Sequence, residues 1–171
     1  SSAQAAIKNI VAGFDPRPTP VVQIDTDLPA MAPGDLSAAH LRRAFASHPA
    51  AWEPELRKER SWVSKPPAKA AVLVALVQRQ EISVLLTERS ASLSNHSGQI
   101  AFPGGRQDPQ DRDASDTALR EAWEEVGLAR ERVEVIGSLP EYATGSGFEI
   151  TPVIGLVTPP FALQPNPAEV A

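Results

Sequence analysis

Phe102-Pro-Gly-Gly-Arg106 leads into a loop carrying Asp108, Asp111, Asp113 and Asp116, and then into Thr117-Ala-Leu-Arg-Glu-Ala-Trp-Glu-Glu-Val-Gly-Leu128. The second half of this stretch has a helix signature. Asp113 and Ser115 are candidate N-caps, Asp116 suits the positive N-terminal end of the helix dipole, and Gly127 is a natural C-terminal stop. On such a helix Glu121 is followed by glutamates three and four positions later, at 124 and 125, so all three carboxylates share one face.

Glutamate pairs at these spacings repel by roughly 0.2–0.5 kcal/mol each. Arg120 can neutralise Glu124, which leaves Glu121 facing Glu125. A lone glutamate pair is ordinarily a solvated helix face, but here a glycine turn, an arginine and a third glutamate fall in register with it. That combination points to a bound cation. Hard divalent ions such as Mg²⁺ take oxygen ligands and are commonly held by one or two carboxylates together with substrate phosphates. Gly104 and Gly105 fit the same idea, because a backbone without Cβ turns sharply and brings a carbonyl or amide close to an ion or phosphate.

The stretch resembles a Nudix box, whose pattern is Gly, five residues, Glu, seven residues, Arg-Glu, an aliphatic, any residue, Glu-Glu, any residue, Gly, an aliphatic. Arg120, Glu121, Glu124, Glu125, Gly127 and Leu128 match it. Counted back from Arg120, the pattern's Gly falls on Arg106 and its Glu on Arg112. The loop here therefore reads as one residue longer, with Gly105 as the glycine and Asp111 or Asp113 near the place of the first Glu. The resemblance implies Mg²⁺ or Mn²⁺ held by Glu121, Glu124 and Glu125 with Gly105. It implies a catalytic set of Glu121, Glu124, Arg120 and an acid beyond the box, for which Glu141, Glu149 and Glu169 are candidates and Glu169 is preferred. Arg120 is read as the residue that holds Glu124 in place.

Upstream, Leu85-Leu-Thr-Glu-Arg-Ser90, Gly98 and Phe102-Pro-Gly-Gly105 are similar to the signature of the coenzyme A pyrophosphatase branch of that family. Ser94 stands where the branch has a second arginine, a natural phosphate contact; His96 is read as a loop residue. The substrate-facing candidates are Arg89, Gly98, Gln99, Phe102, Gly104, and the loop from Tyr142 to Phe148.

Composition narrows the alternatives. The 171 residues suit one domain with an N-terminal extension. A net charge of −5 argues against a nucleic-acid surface. The absence of cysteine removes disulfides, thiol nucleophiles and cysteine metal sites, and is compatible with a reducing cytoplasm, the expected location. No apolar run approaches the roughly 18 residues of a membrane span, and no secretory signal is expected.

Ile7, Ile10, Val11 and Phe14 are spaced as on a helix. Residues 15–67 hold about half of the 17 prolines, so few regular elements are expected there. One short helix is predicted over 37–46, with Leu41 and Phe45 inward and Arg42 and Arg43 outward. Trp52 and Trp62 are expected to anchor this arm. Ala70 to Val77 reads as a strand buried on both faces, paired as a hairpin with a strand from Ile82 to Thr87. Val133 to Leu139 reads as another strand. Ile150 to Val157 follows, with Pro152 suggesting an edge or a strand beginning.

The resemblance implies an α+β Nudix fold, a mixed β-sheet sandwiched between helices (α/β/α), over residues 68–171, preceded by a proline-rich arm over residues 1–67. It also leads one to expect a further strand and a C-terminal helix beyond Ala171. The function implied is hydrolysis of the diphosphate bond of coenzyme A or its derivatives, giving 3′-phosphoadenosine 5′-phosphate and 4′-phosphopantetheine. The alternatives are a Nudix hydrolase of another nucleoside diphosphate derivative such as ADP-ribose, and a non-catalytic nucleotide-binding module, which the three intact glutamates disfavour. A small-molecule substrate and a homodimer are the implied partners.

Overall fold

Strand β1 (Ala68–Val77) is the spine of the molecule, and its apolar run explains why. Its full length pairs in parallel with β8 (Phe148–Val157), from Ala68↔Phe148 to Val77↔Val157. The computed structural model describes residues 32–47, 66–90 and 98–170. The helix expected near Ile7 to Phe14, Trp52, Trp62, Ser94 and His96 lie outside the described residues. Between the two long strands come β2 (Ser83–Val84), β3 (Thr87–Glu88), β4 (Ile100–Ala101), β5 (Gly104–Arg106), β6 (Val133–Ser138) and β7 (Tyr142–Ala143). Helix α1 (Ala38–Ala46) precedes β1, and α2 (Ala114–Val126) follows β5.

Each long strand carries two short antiparallel partners on its outer edge. β5 and β2 pair with β1, near its start and its end respectively. β7 and β6 do the same for β8. The result is the mixed sheet of an α+β protein. β3 and β4 form a separate ribbon through Thr87↔Ala101 and Glu88↔Ile100.

Alternation along β1 sends Ala71, Leu73, Ala75 and Val77 into the core, where they meet Ala118, Leu119, Ala122 and Val126 of α2. Val153 and Val157 of β8 join them, as do Leu128 and Val170. Leu73 is fully buried, and truncation of such a side chain to Ala costs about 2–5 kcal/mol. From Val153 to Val157 every residue of β8 is buried, so both faces of this strand are covered.

Helix α2 starts and stops as its residues dictate. Of the two candidate caps, Asp113 is the one used: its Oδ1 accepts from the Asp116 N–H at 2.8 Å. Gly127 ends the helix with φ 67°, in the left-handed region. Helix α1, capped by the Ser37 hydroxyl, sits against β6. Arg42 there makes a two-pronged ion pair with Glu134, at 2.7 and 2.6 Å, while Leu41 and Phe45 are half-buried.

Two expectations need correction. The segment from Ile82 to Thr87 is not one hairpin strand: only Ser83 and Val84 pair with β1, and Leu85 N–H still reaches the Ala75 carbonyl at 3.0 Å. Beyond that point the edge of β1 is taken, since Leu73 N–H donates to the Pro103 carbonyl and β5 occupies Ala70 to Val72. The chain must leave, and it founds the β3–β4 ribbon instead. Pro152 lies inside a central strand rather than at an edge. Its carbonyl accepts from Leu139 N–H at 2.9 Å, on the side where β7 has ended and β6 begins. A strand residue's N and carbonyl point the same way, so the donor proline lacks falls in that gap and not on the β1 ladder.

Candidate functional site

Helix α2 presents Glu121, Glu124 and Glu125 beside β5, and the order of the sequence makes this close. An ideal Cβ on Gly105 would lie 2.5 Å from Glu121 Cδ and Oε1, so the glycine leaves the room that this carboxylate fills. The Gly104 N–H donates to Glu125. β5 and α2 are thus locked together through the side chains the helix face carries.

Arg120 organises the acidic side. Its Nη1 donates to Glu121 Oε1 and Glu124 Oε2, each at 3.0 Å, while Nε and Nη2 clasp Asp111 at 3.1 and 3.0 Å. Nη2 also donates to the Arg106 carbonyl at 3.0 Å. Arg120 thus grips Glu121 and Asp111 as well as Glu124. Asp111, whose other contacts are the Thr117 hydroxyl and the Asp108 N–H, is the anchor. Arg120's guanidinium holds the Asp111 carboxyl down at about 2. Of the two aspartates considered for the box's first acidic position, Asp111 grips Arg120 and Asp113 caps the helix. Asp116 clamps the helix start, accepting from Arg112 and Arg130, and these arginines keep its carboxyl well below the usual range.

Burial dominates on the other side. It pushes Glu125 up to about 7 against the opposing Gly104 N–H, and the charges of Glu121 and Glu169 push the same way. Burial likewise raises Glu121, with Arg120 opposing it. Glu125 Oε2 is buried and has no hydrogen-bond partner. Across the same cavity, Arg89 Nε is buried and equally unpartnered.

That cavity, about 190 Å³, is lined by Glu125, Glu169, Arg89, Thr87, Phe102 and Gly104, with Ala101 and Val170. Glu169 reaches it from a strap that follows β8. Gln164 N–H donates to the Val126 carbonyl at 2.7 Å and Asn166 N–H to the Glu125 carbonyl at 2.8 Å, so the strap satisfies the end of α2. Val170 then bridges to Arg89.

The structure therefore brings together Glu121, Glu125, Glu169, Arg89, Phe102, Gly104 and Gly105. Glu124 is turned to Arg120 and half exposed. Gly98 and Gln99 follow in the loop into β4, where Gln99 O accepts from Arg89 N–H. Tyr142 and Phe148 stand on the β7–β8 hairpin and do not line this cavity. Glu141 is engaged with Lys69 and Thr151. A larger cavity, about 570 Å³, lies between Leu36–Ala38 and the β1–β2 turn, and none of the predicted site residues lines it.

An all-oxygen donor set with an orphaned buried carboxylate oxygen suits a hard divalent cation. Among the described residues, no three acidic or histidine side chains already converge as a cage. Glu121 and Glu124 share Arg120, so ligation there competes with the arginine. Asn166 is the residue that sequence reasoning passed over. Asn166 had a signal, since Asn before Pro167 is a turn initiator.

Comparison with known proteins agrees with this architecture. "Uncharacterized Nudix hydrolase NudL" of Photorhabdus laumondii is 47% identical over 102 residues, covering 60% of this chain and 54% of its own. The chain spans about half the length of the curated relatives it matches. A crystal structure of a C. elegans Ap4A hydrolase binary complex superposes with a TM-score of 0.50 and 25% identity, covering 61% of this chain and 75% of that one. The Nudix hydrolase RenU of M. smegmatis gives 0.50 and 29%, covering 60% and 66%. No described helix is long and apolar enough to cross a membrane. The family model for the NUDIX domain matches residues 67–167, more than half of the chain, which therefore belongs to the Nudix family.

Proposed function

We propose that this chain is a divalent-metal-dependent pyrophosphohydrolase that cleaves the diphosphate bond of coenzyme A or its derivatives. One observation carries the reading: Glu125 and Arg89 line one cavity, and each carries a buried side-chain atom, Oε2 and Nε, without a hydrogen-bond partner. A cation would satisfy the first and a phosphate oxygen the second. The likeness to a protein named Ap4A hydrolase supports phosphoanhydride chemistry of this kind.

Glu121, Glu124 and Glu125, with Gly105, would hold Mg²⁺ or Mn²⁺, which would supply Lewis acidity toward the diphosphate oxygens and toward water. Arg120 orients Glu121 and Glu124, and Asp111 holds Arg120. Glu169 takes the proton of the attacking water. Arg89 steadies the diphosphate as the phosphorus–bridging oxygen bond breaks. Phe102 and Gly104 wall the cavity, and Gly98, Gln99, Tyr142 and Phe148 carry outlying substrate contacts. Coenzyme A is favoured by the extended signature from Leu85 to Gly105. Ser94, where that signature has arginine, favours a second reading in which ADP-ribose or another nucleoside diphosphate derivative is the substrate. Residues 1–67 as an arm, 68–171 as the hydrolase domain and a cytoplasmic setting belong to the same proposal.

The test is incubation with Mg²⁺ or Mn²⁺ and coenzyme A or ADP-ribose, with products resolved by chromatography. We expect 3′-phosphoadenosine 5′-phosphate and 4′-phosphopantetheine from coenzyme A. Turnover of ADP-ribose alone would select the second reading, and no turnover of any nucleoside diphosphate derivative would sink the hydrolase assignment.

A further inference from the structure

We propose that Asn166 is the positioning residue that sets Glu169 against the metal-binding helix; the proposal rests on Glu169 as proton acceptor. Asn166 makes contacts in two directions. Toward α2, its N–H donates to the carbonyl of Glu125 at 2.8 Å. Toward the strap, its carbonyl accepts from the N–H groups of Glu169 at 3.0 Å and Val170 at 2.8 Å, and its Oδ1 accepts from Ala168 N–H at 3.1 Å. These bonds build a tight turn whose foot stands on the backbone of a metal-ligand residue.

One contact is different in kind. Asn166 Nδ2 donates to Glu169 Oε1 at 3.3 Å, and it is the bond through which this residue acts on the carboxylate itself. The far side of the turn is fixed independently: Ser90 N–H donates to the Glu169 carbonyl at 2.9 Å, and Val170 is buried in the core and bridged to Arg89. With the backbone of Glu169 pinned on both sides, the remaining freedom lies in its side chain. Nδ2 restrains that freedom at an exposed carboxylate, whose residue lines the cavity shared with Glu125 and Arg89.

Turn and aim can be separated by substitution. Asn166→Asp keeps the backbone bonds and the Oδ1 acceptor but replaces the Nδ2 donor with an oxygen that repels Glu169. Asn166→Ser keeps a hydroxyl able to accept from Ala168 N–H and withdraws the donor from reach. A general base contributes typically 10²- to 10⁴-fold, so misaiming it lowers kcat by about tenfold or more in both variants, with KM within about twofold. Amide exchange at Glu169 and Val170, followed in metal-free protein, stays as slow as in wild type. In a Glu169→Gln background, Asn166→Asp brings no further loss, because the two residues act as one unit.

Unchanged kcat in both Asn166 variants, with Glu169→Gln inactive, overturns this proposal alone. Unchanged kcat in Glu169→Gln overturns the proton-acceptor assignment and the proposal with it. Loss of amide protection in both variants, or additive losses in the double variant, assigns Asn166 a merely structural role and also overturns it.

Discussion

The carboxylate of Glu121 occupies the space that a side chain on Gly105 would need, with 2.5 Å between an ideal Cβ and Glu121 Cδ. The obstructing atoms are the far end of a flexible side chain, so Gly105→Ala is accommodated by moving Glu121 and not by unfolding the sheet. We expect thermal melting close to that of wild type and kcat lower by about a hundredfold, the usual consequence of misplacing a reacting group by an ångström. A wild-type rate would show that this carboxylate's position does not matter.

Glu125→Gln is expected to abolish turnover while making the protein more stable. The folded-state value of Glu125, about 7, lies above its ordinary 4.5. Wild-type stability tied to this group is fully present below 4.5 and is lost as pH rises through 7. The glutamine does not titrate, so its advantage grows across that window and holds above it. Urea midpoints measured from pH 4 to 8 check this; a constant difference between the two proteins would contradict the burial of this charge.

Metal binding should be linked to the same proton. Below pH 7 an ion must displace a proton from Glu125, so Mn²⁺ binding to wild type at pH 6 releases one, and its affinity rises with pH up to about 7. Titration calorimetry in buffers of different ionisation enthalpy reads the proton directly. In Glu125→Gln the release is smaller.

Asp111→Asn addresses the opposite sign. Arg120 holds the Asp111 carboxyl at about 2, below its ordinary 3.8, so the stability it contributes is present above 3.8 and is lost as pH falls through 2. We expect the asparagine variant to be less stable than wild type at neutral pH, with the gap closing across that acid window. Because Arg120 also holds Glu121 and Glu124, kcat falls too. An unaltered acid limb would remove Asp111 from its anchoring role.

What could be read in advance was local. Asp113, Gly127 and the spacing of Glu121, Glu124 and Glu125 specify α2 without reference to the rest of the chain. The apolar run of β1 and the glutamate-bearing face needed only period and charge. The errors arose where a distant segment decides. Whether Leu85 and Leu86 stay on β1 depends on Pro103 and Gly104 occupying its edge. Pro152 is tolerated in a central strand because β7 stops where β6 begins. Arg120's hold on Asp111 spans a loop whose conformation no pattern of residue types announces. Glu169 could be named as an acid beyond the box, but the turn that carries it is legible only once Asn166 is seen bonded to Glu125.

The strap from Phe161 to Val170 has a temporal consequence. Its bonds to Val126, Glu125, Ser90 and Arg89 all join the last residues described to segments made much earlier in synthesis. A ribosome-bound chain that has emerged only through β8 holds both long strands and α2 but not the donors that close the end of that helix. It lacks Glu169, the group proposed to accept the proton. Of the described segments the strap is the last to be made, and the carbonyls of Glu125 and Val126 find their donors only when it docks.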